Sequence, residues 1–320
     1  MDEPTRDDAV VIGGGPAGLN GALMLARSRR SVLVIDEGSP RNSPAEAVHG
    51  LLGHDGTPPR ELMARGRSEV ERYGGRVLTG EVAGAERNGD SFSVTLTGDK
   101  VVHGRRLLVT TGVVDELPDV PGLRERWGRD VLHCPYCHGW EVRDKAIGVL
   151  GGGPRSVHLA LLFRQLSNDV VYFSNDAPSD PDDAKRLEAR DIRIAGGKVV
   201  SLEIEGDQLA GMRLQSGEVV SRDALVISTR LVARGAFLGG LGLTPKEHPS
   251  GMGEYIEVDP TGQTEVAGVW AAGNITDPAA QVGGSAAAGA VAGARINADL
   301  IEEETLRAVE EYAGNTPRAS

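Results

Sequence analysis

The sequence predicts an α/β protein with two Rossmann-like nucleotide-binding domains of three-layer ββα form. Two glycine-rich turns, "GGGPAG" from Gly13 and "GGGP" from Gly151, each follow an apolar run and precede an apolar segment with helical spacing. Glycine accounts for 44 of the 320 residues and aromatic residues for only 4%, a composition that favours tight turns and close backbone approaches. A chain of this length can bury two separate hydrophobic cores.

The first unit is "AVVIGGGPAGLNGALMLARSRRSVLVID", which predicts a strand, a turn, a helix and a second strand. Gly13, Gly15 and Gly18 supply the G-x-G-x-x-G spacing. The first glycine permits the turn, the second lets the backbone approach a pyrophosphate, and the third lets helix and strand pack. The second strand ends at Asp36, whose carboxylate is expected to accept hydrogen bonds from an adenosine ribose. This complete context indicates a dinucleotide site rather than a purely structural turn.

Both cysteines of the chain lie in "CPYCH", as Cys134 and Cys137. C-x-x-C-H is the haem attachment signature of c-type cytochromes, whereas C-x-x-C beside a βαβ unit is typical of a redox dithiol. Haem attachment requires export, and the acidic, glycine-interrupted N-terminal segment is unlike a signal peptide, so we expect the dithiol. No second C-x-x-C or H-x-x-x-H completes a set of zinc ligands, so no metal site is predicted. His138 follows directly, and its imidazole titrates near neutrality, where it can move protons for thiol exchange.

A second Rossmann-like unit begins at Lys145, with Gly151, Gly153 and Ser156 at the three fingerprint positions. NADP sites commonly place arginines after the second strand, but "FSNDAPSDPDD" contains no arginine, and its acids would repel a 2′-phosphate. Asp176 is either an NAD ribose ligand or a solvated loop acid. The unit is therefore a second nucleotide site or the remnant of one, and NADPH binding in the ordinary mode is not expected.

The C-terminal part contains "GVWAAGN" and then a Gly/Ala-rich helix, whose small side chains let another backbone approach closely. Beyond it, "EEE" and "GNTPRAS" predict a frayed helix and a disordered tail over 304–320. A net charge of −12 without a Lys/Arg run argues against nucleic acid as a partner. No segment has the roughly 18 uninterrupted apolar residues of a membrane span, so a cytoplasmic protein is expected.

The order and spacing of these motifs, together with "TTG" at 110–112, resemble the low-molecular-weight thioredoxin reductase family of FAD-dependent pyridine nucleotide-disulfide oxidoreductases. The resemblance covers nearly the whole chain and implies a thioredoxin reductase-like fold and a homodimer. It also implies an FAD-binding domain over 1–114 and 246–303. Between these segments it implies an inserted NAD(P)H-binding-like domain over 115–245, which carries the cysteines.

The resemblance further assigns roles to single residues. Cys137 would lie against the flavin, and Cys134 would exchange with substrate. Arg41 and Asn42 would contact the adenosine half of FAD. Asn274 stands where the family usually has an aspartate bonded to the ribityl chain, and an amide can still hydrogen-bond there. The full set of expected cofactor-binding residues is Gly13, Gly15, Pro16, Ala17, Gly18, Asp36, Glu37, Arg41, Asn42, His49, Val82, Thr111, Gly112, Gly273, Asn274, Gln281 and Val282.

Three further histidines are candidates near the dithiol, although a surface or supporting role is favoured for each. His49 and His54 lie in "AVHGLLGHDG", which corresponds to a loop that approaches the flavin ring in the family. His49 would line the dithiol pocket. His133 directly precedes the first cysteine.

Two departures from the reductase pattern bear on function. The family's reductases carry an acid directly after the second cysteine, where this chain has His138, and an arginine cluster after the second Rossmann strand, which this chain lacks. "CPYCHGWE" is closer to the dithiol oxidases of holomycin and gliotoxin biosynthesis, which form an intramolecular disulfide in a small-molecule dithiol. Such enzymes pass the electrons through FAD to O₂, giving H₂O₂, without a nicotinamide cofactor. Cys134, Cys137 and His138 are the expected catalytic residues.

Two alternatives stay open at this point. The first is a flavin disulfide reductase that takes electrons from NAD(P)H or another donor. The second is a haem- or flavin-binding sensor without turnover.

Overall fold

The computed structural model describes residues 6–153, 155–177 and 180–315. Its strands are β1 Arg6–Ile12, β2 Val32–Asp36, β3 Arg76–Thr79, β4 Val82–Asn88, β5 Ser91–Leu96, β6 Val101–Val109, β7 Val113–Glu116, β8 Val131–Leu132, β9 Ile147–Leu150, β10 Val170–Phe173, β11 Arg193–Ala195, β12 Val199–Glu205, β13 Gln208–Leu214, β14 Val219–Ser221, β15 Ala224–Val226, β16 Arg230–Ala233, β17 Lys246–Glu247, β18 Glu254–Tyr255 and β19 Val269–Ala271. Its α-helices are α1 Pro16–Arg27, α2 Pro59–Arg72, α3 Leu123–Arg126, α4 Pro135–His138, α5 Ser156–Phe163, α6 Pro181–Glu188 and α7 Val282–Asn315. Two 3₁₀ segments lie at Ala236–Leu241 and Gly273–Ile275.

The first sheet carries the first glycine-rich turn. Its order is β3-β2-β1-β6-β5-β4, with β19 paired in parallel to β6. Strands β1, β2, β3 and β6 run parallel, whereas β4 and β5 are antiparallel additions at one edge. Buried side chains pack on both faces of this sheet. The glycine-rich turn directly follows β1, so it lies at the carboxyl ends of the parallel strands, where nucleotides bind in such sheets.

Helices α1 and α7 pack against each other at backbone contact distance. A Cβ atom on Gly289 would stand 1.9 Å from the carbonyl oxygen of Ala17, and one on Gly293 would stand 2.5 Å from that of Gly21. This confirms the close approach predicted from the small residues of α7. The contact matters for the site because Ala17 lies in the first turn of α1, directly after the glycine-rich turn.

We expect Gly289→Ala to lower the midpoint of thermal unfolding by about 5–10 °C, because the new methyl group forces two helix backbones apart. Gly284→Ala is the matched control in the same helix, since its nearest neighbour would lie 3.9 Å away. That control should leave the midpoint unchanged or raise it slightly through helix propensity. Equal midpoints for the Gly289 variant and the wild type would contradict the close packing of the two helices.

The second Rossmann-like unit is a five-stranded parallel sheet of order β11-β10-β9-β15-β8. A three-stranded antiparallel sheet, β12-β13-β14, adds to it, and two further hydrophobic cores surround these sheets. The predicted α/β class with two Rossmann-like units is confirmed. The cysteine helix α4 directly follows the edge strand β8 of this second sheet.

The antiparallel ladder of β7 with β16 joins the two units. After β16, Leu238, Leu241 and Leu243 pack in a core of the first sheet. We therefore propose that the first domain resumes near residue 233, earlier than the predicted boundary at 246. A short stretch of apolar residues after a strand does not reveal which of two cores will bury it.

Helix α7 continues to Asn315, so the described part of the predicted C-terminal tail, 304–315, is helical. Glu304 accepts hydrogen bonds from Arg30 and Arg105, each at 2.6 Å, and these bonds lower the pKa of Glu304 to about 2. Glu303 pairs with Arg106 at 2.6 Å. These ion pairs hold the acidic stretch against β6 and the loop before β2, although it resembles a solvated tail in the sequence. Residues 316–320 of the predicted tail lie outside the described residues.

Among the described residues, none of the helices combines the length and the apolar character needed to cross a membrane.

Candidate active site

A cavity of about 800 Å³ extends from the glycine-rich turn of the first unit to the cysteine helix of the second. The expected cofactor-binding residues that line it are Gly13, Gly15, Pro16, Ala17, Asp36, Glu37, Arg41, Asn42, His49, Val82, Thr111, Gly112, Asn274, Gln281 and Val282. Cys137, His138 and His133 line its other end. Residues far apart in the sequence therefore share one continuous surface.

Gly18 and Gly273 do not line this cavity, although both were predicted to bind the cofactor. A Cβ on Gly18 would stand 1.9 Å from the carbonyl oxygen of Gly13, and one on Gly273 would stand 2.9 Å from the Cβ of Ala17. Both glycines therefore serve packing beneath the cavity surface, where they let the start of α1 lie close to the glycine-rich turn and to the 273–275 segment.

The glycine-rich turn requires glycine for conformation and for space. Gly13 has φ +106°, and a Cβ there would lie 2.5 Å from the carbonyl oxygen of Thr110. The hydroxyl of Thr110 donates to the carbonyl oxygens of Ile12 and Gly13 at 3.0 and 2.9 Å, which fixes the turn against β6. Helix α1 then begins at Pro16 without a side-chain cap. Its first amide groups stand at the cavity wall, an arrangement suited to a phosphate.

Two arginines that the sequence did not single out stand beside Asp36, the predicted ribose-binding acid, and Glu37, a further predicted cofactor-binding residue. Arg67 of α2 donates to Asp36 Oδ2 at 2.5 Å, and Arg234 pairs with Glu37. Both arginines line the cavity, and burial lowers the pKa of Arg234 below its ordinary value. Neither lies in a recognisable motif, so only the tertiary structure reveals them.

Arg41 was predicted to contact the adenosine half of FAD, but its guanidinium is paired with Asp115 of β7. The two groups form a bidentate pair with distances of 2.6 and 2.7 Å, and the Thr229 hydroxyl donates to the same carboxylate at 2.8 Å. Burial alone would raise the pKa of Asp115, but the hydrogen bonds and charge of Arg41 outweigh it and lower that pKa. Arg41 thus contacts β7, the strand that connects the first unit to the second.

Cys134 and Cys137 form a disulfide across the one-turn helix α4, with their Cα atoms 5.2 Å apart. Cys134 is the N-cap of this turn, and its sulfur accepts a hydrogen bond from the Cys137 amide at 3.1 Å. Both side chains are partly exposed, but only Cys137 lines the cavity. Cys137 is thus the member of the pair that contributes to the cavity wall, and the division of roles between the two cysteines stays a prediction.

His138 directly follows the pair, and both of its ring nitrogens are buried without a hydrogen-bond partner. Burial lowers the pKa of His138, an effect that nearby His49 reinforces and Glu141 opposes. The imidazole is therefore neutral at pH 7, and either nitrogen can be the proton acceptor. Glu141 also lies 3.5 Å from His49 Nε2.

The other two candidate histidines differ in position. His133 stacks on the ring of Trp127 with centroids 5.4 Å apart, and burial together with the charge of Arg41 lowers the pKa of His133 to about 4. It stays neutral across the physiological range. His54 does not line the cavity, and its Nδ1 atom is buried without a partner.

A side chain of the second unit, Tyr172, packs beside the second glycine-rich turn. The Tyr172 hydroxyl hydrogen-bonds with the Ser156 hydroxyl at 3.0 Å and would lie 2.9 Å from a Cβ on Gly151. Asp176 is exposed in the following turn, and Pro154 lies outside the described residues. Tyr172 thus occupies space beside the residue that replaces the third fingerprint glycine.

FAD, the cofactor that the sequence predicts, fits the large cavity. The volume lies in the range of cofactor sites, roughly 300–1,000 Å³. A Cβ on Gly15 would meet no atom within 4 Å, so the bare backbone there leaves room for a pyrophosphate. Asp36 lines the part of the cavity where an adenosine ribose would bind, and Cys137 marks the opposite end.

Comparison with known proteins identifies the family. The model of the pyridine nucleotide-disulphide oxidoreductase family matches residues 7–294. Thioredoxin reductase tcpT of Claviceps purpurea (strain 20.1) is 34% identical over 318 residues, which cover 92% of this chain and 95% of tcpT. Thioredoxin reductase sirT of Leptosphaeria maculans is 32% identical over 313 residues, which cover 92% of this chain and 94% of sirT. The crystal structure of HlmI superposes with a TM-score of 0.92 at 43% identity and covers 98% of both chains. This chain therefore belongs to the pyridine nucleotide-disulphide oxidoreductase family, as a thioredoxin reductase-like flavoprotein that binds FAD.

Proposed function

We propose that the protein is an FAD-dependent dithiol oxidase that forms an intramolecular disulfide in a small-molecule dithiol and passes the electrons to O₂, giving H₂O₂. The observation that carries this proposal is the Cys134–Cys137 disulfide with one cysteine at the cavity wall, next to His138, whose two ring nitrogens are buried without hydrogen-bond partners. A disulfide in this position can accept an electron pair from a dithiol by exchange.

The exchange proceeds in two balanced steps. A substrate thiolate attacks the sulfur of Cys134, which breaks the Cys134–Cys137 bond and releases Cys137 as a thiolate. The second substrate thiolate then attacks the substrate sulfur of the mixed disulfide, which releases Cys134 and the cyclised substrate. The substrate loses two electrons and two protons, and the cysteine pair gains the two electrons. FAD, when bound, supplies the chemistry that carries this electron pair from the cysteines to O₂.

His138 accepts the proton of an attacking substrate thiol. Because its pKa is lowered, the imidazole is neutral at pH 7 and can act as a base there. An acid at this position, as in the family's reductases, would instead place a negative charge beside the developing thiolate. The histidine thus favours reaction with a dithiol.

The second unit supports an oxidase that does not use NADPH. It lacks the arginine cluster after β10, and acids follow that strand instead. Tyr172 also occupies space beside Ser156 in the second glycine-rich turn.

The names of the relatives favour a second candidate function. Both tcpT and sirT carry the name thioredoxin reductase. The alternative is therefore a flavin disulfide reductase that draws electrons from NAD(P)H or another donor and reduces a disulfide through the same cysteine pair.

An anaerobic mixing experiment separates the two functions. We expect a small dithiol to bleach the visible flavin absorbance, and NADPH and NADH to leave it unchanged, because only the dithiol reaches the cysteine pair. Readmission of air should restore the absorbance and release H₂O₂ in an amount equal to the disulfide formed. Cys134→Ser is the matched control, which the dithiol should not bleach. Rapid bleaching by NADPH would overturn the oxidase and support the reductase.

A further inference from the structure

The side-chain amide of Asn274 is surrounded by backbone carbonyl groups of the turn that precedes α7. Its Nδ2 atom donates to the carbonyl oxygen of Ala280 at 2.8 Å, and it lies 3.2 and 3.4 Å from those of Asp277 and Pro278. Carbonyl oxygens accept hydrogen bonds only, so this arrangement fixes which end of the amide is the nitrogen. The amide group therefore closes the 277–280 turn from inside.

This turn leads directly into the cavity wall. The Ala280 amide donates to the Asp277 carbonyl oxygen at 3.0 Å, and the next two residues, Gln281 and Val282, line the cavity. The first bond of α7 then runs from the Ser285 amide to the Gln281 carbonyl oxygen at 2.8 Å. The position of the turn thus sets where α7 begins relative to the cofactor.

An aspartate at position 274 would be unfavourable in this environment. A carboxylate has no donor at neutral pH, so it would leave the carbonyl oxygen of Ala280 without its partner. It would also bring a negative charge within hydrogen-bond distance of three carbonyl dipoles, an unfavourable contact in a half-buried site.

We propose that Asn274 is a positioning residue that holds the 277–280 turn through its donating amide and so fixes the start of α7 at the FAD cavity. In this role the asparagine acts on the backbone, and a direct bond to the ribityl chain, the role expected for an aspartate here, is not its main contribution. The inference concerns FAD binding alone and is independent of the dithiol and of O₂.

The two roles predict opposite orders of FAD affinity. If Asn274 holds the turn, Asn274→Ala should weaken FAD binding by about tenfold through the lost hydrogen bonds. Asn274→Asp should weaken it by about a further tenfold because it adds repulsion. If the residue serves mainly as a ribityl partner, aspartate should bind FAD at least as tightly as asparagine, and alanine should be the weakest.

The test dilutes each purified holoprotein and follows the fluorescence of released FAD, with hydrogen–deuterium exchange of the 279–285 amides as a second readout. Exchange in this segment should be faster in Asn274→Asp than in Asn274→Ala, and slowest in the wild type. Asn297→Asp is the matched control on α7, because Asn297 accepts a hydrogen bond from Arg30 through Oδ1, which an aspartate can also do. It should leave both readouts unchanged.

Any result in which Asn274→Asp binds FAD no more weakly than Asn274→Ala overturns the proposal. If the aspartate variant does not fold, Asn274→Ser replaces it, because the hydroxyl keeps one donor. The serine variant must then exchange more slowly over 279–285 than the alanine variant, and equal exchange in the two variants would equally overturn the proposal. If the variants show the expected order of FAD affinity but the wild-type protein does not oxidise a dithiol, the result contradicts the proposed function and leaves the role of Asn274 intact.

Discussion

Replacement of Cys137 or of Cys134 by serine is expected to lower the rate of dithiol oxidation by at least about a thousandfold. A serine hydroxyl cannot form a disulfide, so the electron pair of the substrate has no acceptor on the protein. The measurement is the steady-state formation of H₂O₂ with a small dithiol. Tyr136→Phe is the matched control, since Tyr136 lies between the two cysteines and is 67% exposed. It should keep the wild-type rate.

The two serine variants should differ in the reactivity of the cysteine that remains. Cys137 lines the cavity and is expected to be shielded when FAD is bound, whereas Cys134 is not among the residues that line it. An aromatic disulfide reagent should therefore label Cys134 in Cys137→Ser at least about tenfold faster than Cys137 in Cys134→Ser. Equal labelling rates would contradict the assignment of Cys134 as the exchange cysteine. A flavin signal that responds to the dithiol in Cys134→Ser would instead support a sensor without turnover.

The parts of the site that were predicted from the sequence are those in which the local backbone conformation or spacing restricts which residue type can occupy a position. Gly13 needs a positive φ and space beside Thr110, and the two cysteines need a spacing of one helical turn, so each stands out in a single sequence. Asp36 was found because it ends a strand at a fixed distance from the turn. In each case a short segment carries the whole signal.

The residues that were missed act through contacts between distant segments. Arg67 of α2 hydrogen-bonds with Asp36, which lies 31 positions away in the sequence. Asp115 pairs with the guanidinium of Arg41, which lies 74 positions away. Glu304 of α7 pairs with Arg105, 199 positions away. None of these partners lies in a motif, and a charged residue in a single sequence does not indicate which distant residue it will pair with.

Acidification is expected to slow the reaction of the dithiol with the cysteine pair, with a midpoint below the ordinary histidine pKa of about 6.5. Burial lowers the pKa of His138, so the imidazole stays neutral and able to accept a proton down to that lower pH. Below the midpoint the histidine is protonated, and the rate should fall about tenfold for each pH unit. Single-turnover bleaching of the flavin by a dithiol, measured without air, reports this step directly.

His138→Gln should lower that rate at pH 7 by about a hundredfold and change the shape of the pH profile. Without a base on the protein, the rate depends on the fraction of substrate thiolate, which rises tenfold for each pH unit up to the pKa of the thiol. The wild-type plateau should therefore be replaced by a continuous rise between acidic and alkaline pH.

His248→Gln is the control, because His248 is hydrogen-bonded to Ser250 and does not line the cavity. If the glutamine variant kept the plateau and its midpoint, the proton acceptor would be a different group. His133 would not account for that midpoint, because its pKa of about 4 would place the fall in rate at a much lower pH.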